Sequence, residues 1–244
     1  MSLTKTNIRE KEFHNKLHSS GIPRSQNKYY KALYNLYEDF LIFLKNNSQD
    51  KNILDFGCGN GVYSEKVINF NPSKLTAIDI SEEAIEAAKI KGNNKIDFKV
   101  ENCENTKFNS DSFDIIYGVG ILHHLNLDKS IKEVERLVKR DGNIIFIEPL
   151  GTNPIINLYR KFTPNARSED EHPFTFNDIK QLRKLFNKVK IQYYGFFTLL
   201  FLPFYKSPKE SKIFSILSRL DKILFTIPFL KFLAWSVLIE AKKN

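Results

Sequence analysis

The chain has 244 residues, 42% of them hydrophobic and 27% charged, with 37 Lys and Arg against 28 Asp and Glu for a net charge of +9. That balance excludes a disordered or collagen-like chain and supplies enough apolar residues for a sizeable core. Two cysteines, Cys58 and Cys103, exclude both a disulfide scaffold and a paired-cysteine zinc site, and point to a reducing, cytoplasmic compartment.

Residues 1–10 are polar where an export signal needs an apolar run. Residues 7–46 carry Tyr30, Leu33, Tyr34, Leu36, Tyr37, Phe40, Leu41 and Leu44 on a broad stripe that predicts helix. From 51 to 150, short β-branched runs alternate with helix-patterned stretches, as in βαβ units around a parallel sheet. Strands are predicted at 51–56, 75–79, 96–100, 113–119 and 143–148, with helices at 62–70, 81–88 and 131–138. Ser81 followed by Glu82 and Glu83 suits a helix N-terminus.

Residues 150–173 hold three prolines and read as an insertion over the strand ends. A helix is predicted at 176–186, capped near Asn177 or Asp178, then a strand at 189–194 and a last strand at 233–241. Between those strands Ile213, Ile216, Leu217, Leu220, Ile223 and Leu224 recur at the spacing of one helix face. The nearly uncharged runs 191–205 and 223–230 contain Pro203 and Pro228 and fall short of the roughly 18 to 20 residues of a membrane span.

Charge is unevenly placed: +3 over 1–50, −3 over 51–150 and +9 over 151–244. A positive field of that kind suits an anionic substrate, nucleic acid or a lipid surface. Between Tyr193 and Trp235 eight phenylalanines lie among lysines. Such a segment can wall an apolar pocket, form a dimer face, or dock peripherally on a membrane with Lys206, Lys209, Lys212 and Lys222 near head groups.

The first predicted strand ends in Leu54-Asp55-Phe56-Gly57-Cys58-Gly59-Asn60-Gly61. A tight strand-to-helix turn needs φ values that glycine adopts cheaply, and the missing Cβ atoms let a ligand lie against the backbone and the helix N-terminus. Asp79 closes the second strand about 20 residues later, where a carboxylate can accept hydrogen bonds from both hydroxyls of a ribose. The dinucleotide fingerprint places its third glycine one residue later, where this chain has Val62.

These residues resemble the class I S-adenosylmethionine-dependent methyltransferases, whose first motif is an acidic residue followed by G-x-G-x-G. Glu101 to Asn105, Asp111 to Ile116 and the Leu122-His123-His124-Leu125 element continue the resemblance. It implies a Rossmann-like α/β fold: a mostly parallel, seven-stranded central sheet with helices on both faces and a reversed last strand. One domain is then expected over 1–244, with a helical cap at 1–50, a cofactor-binding core at 51–150, and acceptor-side insertions and last strands at 151–244.

The same resemblance implies S-adenosylmethionine as cofactor. Gly57, Cys58 and Gly59 would line its methionine and ribose portion, and Asp55 would support its amino group. Asp79, with Ile80 beside it, would bind the ribose. Asn102 and Cys103 would sit beside the adenine, and Gly118 and Val119 would face the cofactor through their backbone. A general base, where the acceptor needs one, is expected from His123 or His124, with Glu148 the other candidate. Tyr30, Glu148, Arg160, Arg167 and His172 are the expected acceptor contacts. The charged run 167–172 reads as solvated, so no metal is expected.

A small-molecule or lipid-like acceptor is the primary expectation. Nucleic acid is disfavoured because Tyr117-Gly118-Val119-Gly120 stands where base-modifying amino-methyltransferases carry Asn-Pro-Pro-Tyr or Asp-Pro-Pro-Tyr. An RNA methyltransferase, a nicotinamide-dependent oxidoreductase and a catalytically silent binding protein of the same fold are the alternatives.

Overall fold

A computed structural model describes residues 3–19, 28–91, 93–163 and 168–243. The strands are β1 (Asn52–Phe56), β2 (Lys74–Asp79), β3 (Ile96–Val100), β4 (Phe113–Val119), β5 (Val138–Pro149), β6 (Asn187–Tyr194) and β7 (Ser236–Lys242). They form one sheet in the order β3-β2-β1-β4-β5-β7-β6. β7 alone runs antiparallel to its neighbours β5 and β6, as the resemblance implies.

Alternate side chains of a strand point to opposite faces, so each strand feeds two cores. Leu54, Phe56, Ile116, Ile144 and Phe146 pack on one face against Ile131, Val134 and Leu137 of α5 (Leu127–Leu137) and against Ile179 and Leu182 of α7 (Phe176–Leu185). Ile53, Ile115, Tyr117, Ile145 and Ile147 pack on the other face. Their partners are Leu36, Phe40 and Leu44 of α2 (Tyr34–Asn47), Val67 of α3 (Ser64–Val67), and Ile85 and Ala88 of α4 (Glu82–Lys91). The three α2 side chains are fully buried, and each contributes roughly 1.5 to 3 kcal/mol by leaving water.

Several expected boundaries move for local reasons. The helix expected at 62–70 shortens to α3 and a 3₁₀ turn, Ile68–Phe70, which Asn71 ends in the left-handed region at φ 54°. α5 starts early because the Asn126 side chain accepts the Lys129 N–H. Thr175, not Asn177 or Asp178, caps α7, in a reciprocal capping box with Asp178. The insertion contains α6 (Pro154–Phe162), capped by Asn153. β7 begins at Ser236 because Pro228–Leu233 is 3₁₀.

α8 (Phe197–Leu200) and α9 (Lys212–Leu224) follow β6. The expected helix forms as α9, and most of its apolar positions face outward: it buries Phe214, Leu217, Ser218 and Asp221 and leaves Ile213, Ile216, Leu220 and Ile223 exposed. Asp221 occupies the inner face because its carboxylate accepts the Phe197 N–H at 2.6 Å and the Thr198 hydroxyl at 2.8 Å. No helix among the described residues is long and apolar enough to cross a membrane.

Candidate active site

Strand order reverses at β1, where β2 lies to one side and β4 to the other. Open α/β sheets bind ligands beyond the strand C-termini at such a point. The glycine turn sits there, with Gly57 at φ +80° and Gly59 at +52°. A Cβ on Gly57 would overlap the Ile121 side chain, so close packing as well as φ excludes other residues. The Gly57 and Cys58 N–H groups both donate to the Ile78 carbonyl, which fastens the turn to β2.

Asp79 closes the turn from the other side. Its Oδ2 accepts the Gly59 N–H at 2.8 Å and its Oδ1 accepts the Ser81 N–H at 3.0 Å. An ionised carboxylate offers about four acceptor positions, so a half-buried Asp79 retains capacity for two ribose hydroxyls. These residues fit an adenosine-type cofactor, with half-buried Ile80 adjoining.

Asp55 lies deeper, 2% exposed, and accepts hydrogen bonds from Ser64 at 2.6 Å and Tyr117 at 2.8 Å. Burial pushes its carboxyl up to about 7 against the pull of those two bonds. Gly118 has a packing role: a Cβ there would lie 2.7 Å from Phe146 and 2.8 Å from both Ile121 and the Phe56 carbonyl. Val119 is half-buried against the α2 side of the sheet. Cys103 is buried in the core, and burial pushes both cysteine thiols well up. The Asn102 Oδ1 already accepts the Glu104 N–H at 2.9 Å, while its Nδ2 lies 3.5 Å from Asn7 Oδ1.

Glu148, fully buried, corrects the expectation of an acceptor contact. Its Oε1 accepts the Ile121 and Leu122 N–H groups at 3.1 and 2.8 Å, and its Oε2 lies 2.7 Å from His123 Nδ1. It positions the turn that carries the histidines. Burial raises it to about 7 despite the backbone donors. His124 is also buried; burial, then the charge of neighbouring His123, lowers it to about 4, which makes it a weak base.

The other expected acceptor contacts do not converge. Arg160 donates to the Leu150 carbonyl and to Asn157, organising its own insertion. His172 is exposed, 3.8 Å from Asp178, although its N–H donates to the His123 carbonyl. Tyr30 packs against Tyr37 and Trp235, each 6.1 Å between ring centroids. Arg167 lies outside the described residues.

Helix α1 (Lys5–Ser19) supplies what sequence reasoning missed. It crosses the opening, with Lys11 reaching Glu82 of α4 and Arg9 forming a two-bonded pair with Asp170 of the insertion. Between them Glu10 and His14 face His124. The i, i+4 spacing of Glu10 and His14 was the available signal, since it puts both on one face of a helix.

Residues 54–146 match the family described as a methyltransferase domain. The chain is 38% identical over 125 residues to the ubiquinone biosynthesis O-methyltransferase of Pelagibacter ubique, covering 48% of this chain and 49% of that one. It is 26% identical over 121 residues to a tRNA U34 carboxymethyltransferase of Campylobacter jejuni, covering 48% and 40%. The chain spans about half the length of the curated relatives it matches. Among solved structures, the geranyl diphosphate C-methyltransferase of Streptomyces coelicolor superposes over 100% of both chains with a TM-score of 0.66 at 13% identity. The nicotinamide-dependent alternative is set aside by these matches. Residues 54–146 are similar to a methyltransferase domain, and the chain has the Rossmann-like fold of the solved methyltransferases it superposes on.

Proposed function

We propose that the protein is an enzyme that transfers a methyl group from S-adenosylmethionine to a small or lipid-like acceptor. The observation that carries this reading is the Asp79 carboxylate bonded to the Gly59 N–H at the strand-order reversal, a preformed grip for an adenosine ribose. The cofactor's sulfonium supplies an already activated methyl group. What this chain adds is positioning, worth most of the barrier reduction in such a transfer. Gly57 and Gly59 would admit the ligand to the backbone, Asp55 in its ionised form would support the ligand's ammonium, and α1 reaches across to α4 and the insertion above them.

Where the acceptor is a hydroxyl or an ammonium a proton must leave it, and His123 is the base this reading assigns. With Glu148 ionised, His123 Nδ1–H donates to Oε2, which fixes the ring's tautomer and orientation. An isoprenoid-like acceptor is supported by the names of the ubiquinone relative and the geranyl diphosphate neighbour, and by the exposed apolar face of α9. The tRNA relative and the basic C-terminal third favour RNA as the second reading.

Calorimetric titration with S-adenosylmethionine, S-adenosylhomocysteine and NADH tests the cofactor. Binding of the two sulfur nucleosides, weakened by about 1.5 to 3 kcal/mol in Asp79→Ala, is expected. Unchanged affinity in that variant removes Asp79 from the site, and binding of NADH alone refutes the reading.

A further inference from the structure

The contact between α1 and the turn after β4 has an unsolved electrostatic problem. Glu10 is 4% exposed, and its Oε2 is buried without a hydrogen-bond partner among the described residues. Two ring nitrogens lie close to it: His124 Nδ1 at 3.1 Å and His14 Nε2 at 3.6 Å. A buried carboxylate oxygen without a hydrogen bond is costly, and two imidazole nitrogens within ion-pair distance of it make the cluster a candidate for a bound cation.

The three atoms converge: all lie within 4.8 Å of one another, and the two imidazoles meet nearly at right angles, 85° apart with centroids 4.9 Å apart. Around a tetrahedral zinc with bonds of about 2.0 to 2.1 Å, ligand atoms stand about 3.3 Å apart, a value bracketed by the 3.1 and 3.6 Å from Glu10 to His124 and His14. Glu10 and His14 come from one helix face, and His124 comes from a turn held rigid by Glu148. The second Glu10 oxygen accepts the Ser168 hydroxyl at 2.5 Å, an outer contact of the kind that orients a metal-bound carboxylate. A second grouping, His123, His124 and Glu171, shares His124 but draws on His123, whose Nδ1 already faces Glu148.

We propose that Glu10, His14 and His124 form a binding site for a divalent transition-metal cation of the zinc class. Two histidines and one carboxylate leave a coordination position open, as in catalytic rather than structural sites. The ion ties α1 to the β4 turn and so holds the helix over the crevice, where Asn7 of the same helix meets Asn102. The site stands on its own geometry and does not depend on the methyltransferase reading.

The test uses the full chain, stripped with a chelator, dialysed and titrated calorimetrically with Zn²⁺ alone. Uptake of one ion per chain is expected, and Co²⁺ in its place should give the visible ligand-field bands of a four-coordinate site. His14→Ala, at a position one-fifth exposed on a helix surface, and Glu10→Gln should each weaken uptake by about tenfold or more. Lys190→Ala removes an exposed pair with Glu240 on the far edge of the sheet and should bind as the native chain does. Circular dichroism establishes that the variants are folded; should Glu10→Gln fail to fold, His14→Ala carries the test. No stoichiometric uptake by the native chain, or equal affinity in folded His14→Ala, overturns the proposal.

Discussion

At the scale of single residues, two buried carboxyls near the crevice do different work. Glu148 spends its oxygens on the backbone of the 121–123 turn and on His123, so its effect on chemistry passes through the histidine. His123→Ala should therefore cut turnover of a methyl-labelled acceptor by about 10² to 10⁴ while cofactor affinity stays unchanged. Turnover at the native rate would remove His123 as the base.

Asp55 has its own signature in stability. Its folded carboxyl titrates near 7 rather than 3.8 because it is buried. Between those values the folded chain holds a proton that the unfolded chain has lost, so this residue's contribution falls as pH rises from about 4 to 7 and is constant outside that window. At about 1.4 kcal/mol per pH unit the loss is at most about 4 kcal/mol. Denaturant titrations of Asp55→Asn, which keeps an acceptor for Ser64 and Tyr117, should show a flatter stability profile over that window. Parallel native and variant profiles would rule out the buried proton.

At the scale of elements, legibility followed how local the determinant was. β3 and β4 appear at their expected residues because short β-branched runs bounded by turn residues suffice to specify them. The Gly57 to Gly61 turn and Asp79 were legible for the same reason, as motif and strand end lie a fixed distance apart. The helix of α9 was legible, but which side it buries was not: its apolar positions point outward, while Asp221, polar in sequence, turns inward to satisfy the start of α8. No periodicity records a partner located on another element. The Glu10, His14 and His124 cluster was hidden likewise: its members lie far apart in sequence, and only α1 folding across the strand ends unites them.

At the scale of the whole molecule, the segment that carries α9 leaves the sheet at the same end as the glycine turn. Ser236 of β7 pairs with both Pro149 of β5 and Tyr194 of β6, so the C-terminal ends of those strands lie together and α8 and α9 depart from that edge. Ile213, Ile216, Leu220 and Ile223 are exposed there, as are Phe201, Phe204 and Phe229 on flanking turns. Exposed Lys206, Lys209, Lys212 and Lys222 accompany them, within the third of the chain that carries a charge of +9.

Apolar side chains ringed by lysines match a lipid interface, where acyl chains take the former and anionic head groups the latter at about 1 kcal/mol per lysine. Docking through this face would bring the protein to the surface where the proposed lipid-like acceptor resides. The protein is expected to co-sediment with phosphatidylserine-containing vesicles at low salt, less so at high salt, and poorly with neutral vesicles. Ile216→Asp with Ile223→Asp, both on the exposed side of α9, should abolish the binding without loss of the fold. Retention in the supernatant with anionic vesicles at low salt would refute membrane docking. If binding to tRNA then shows a steep salt dependence, the same basic third serves the RNA reading instead.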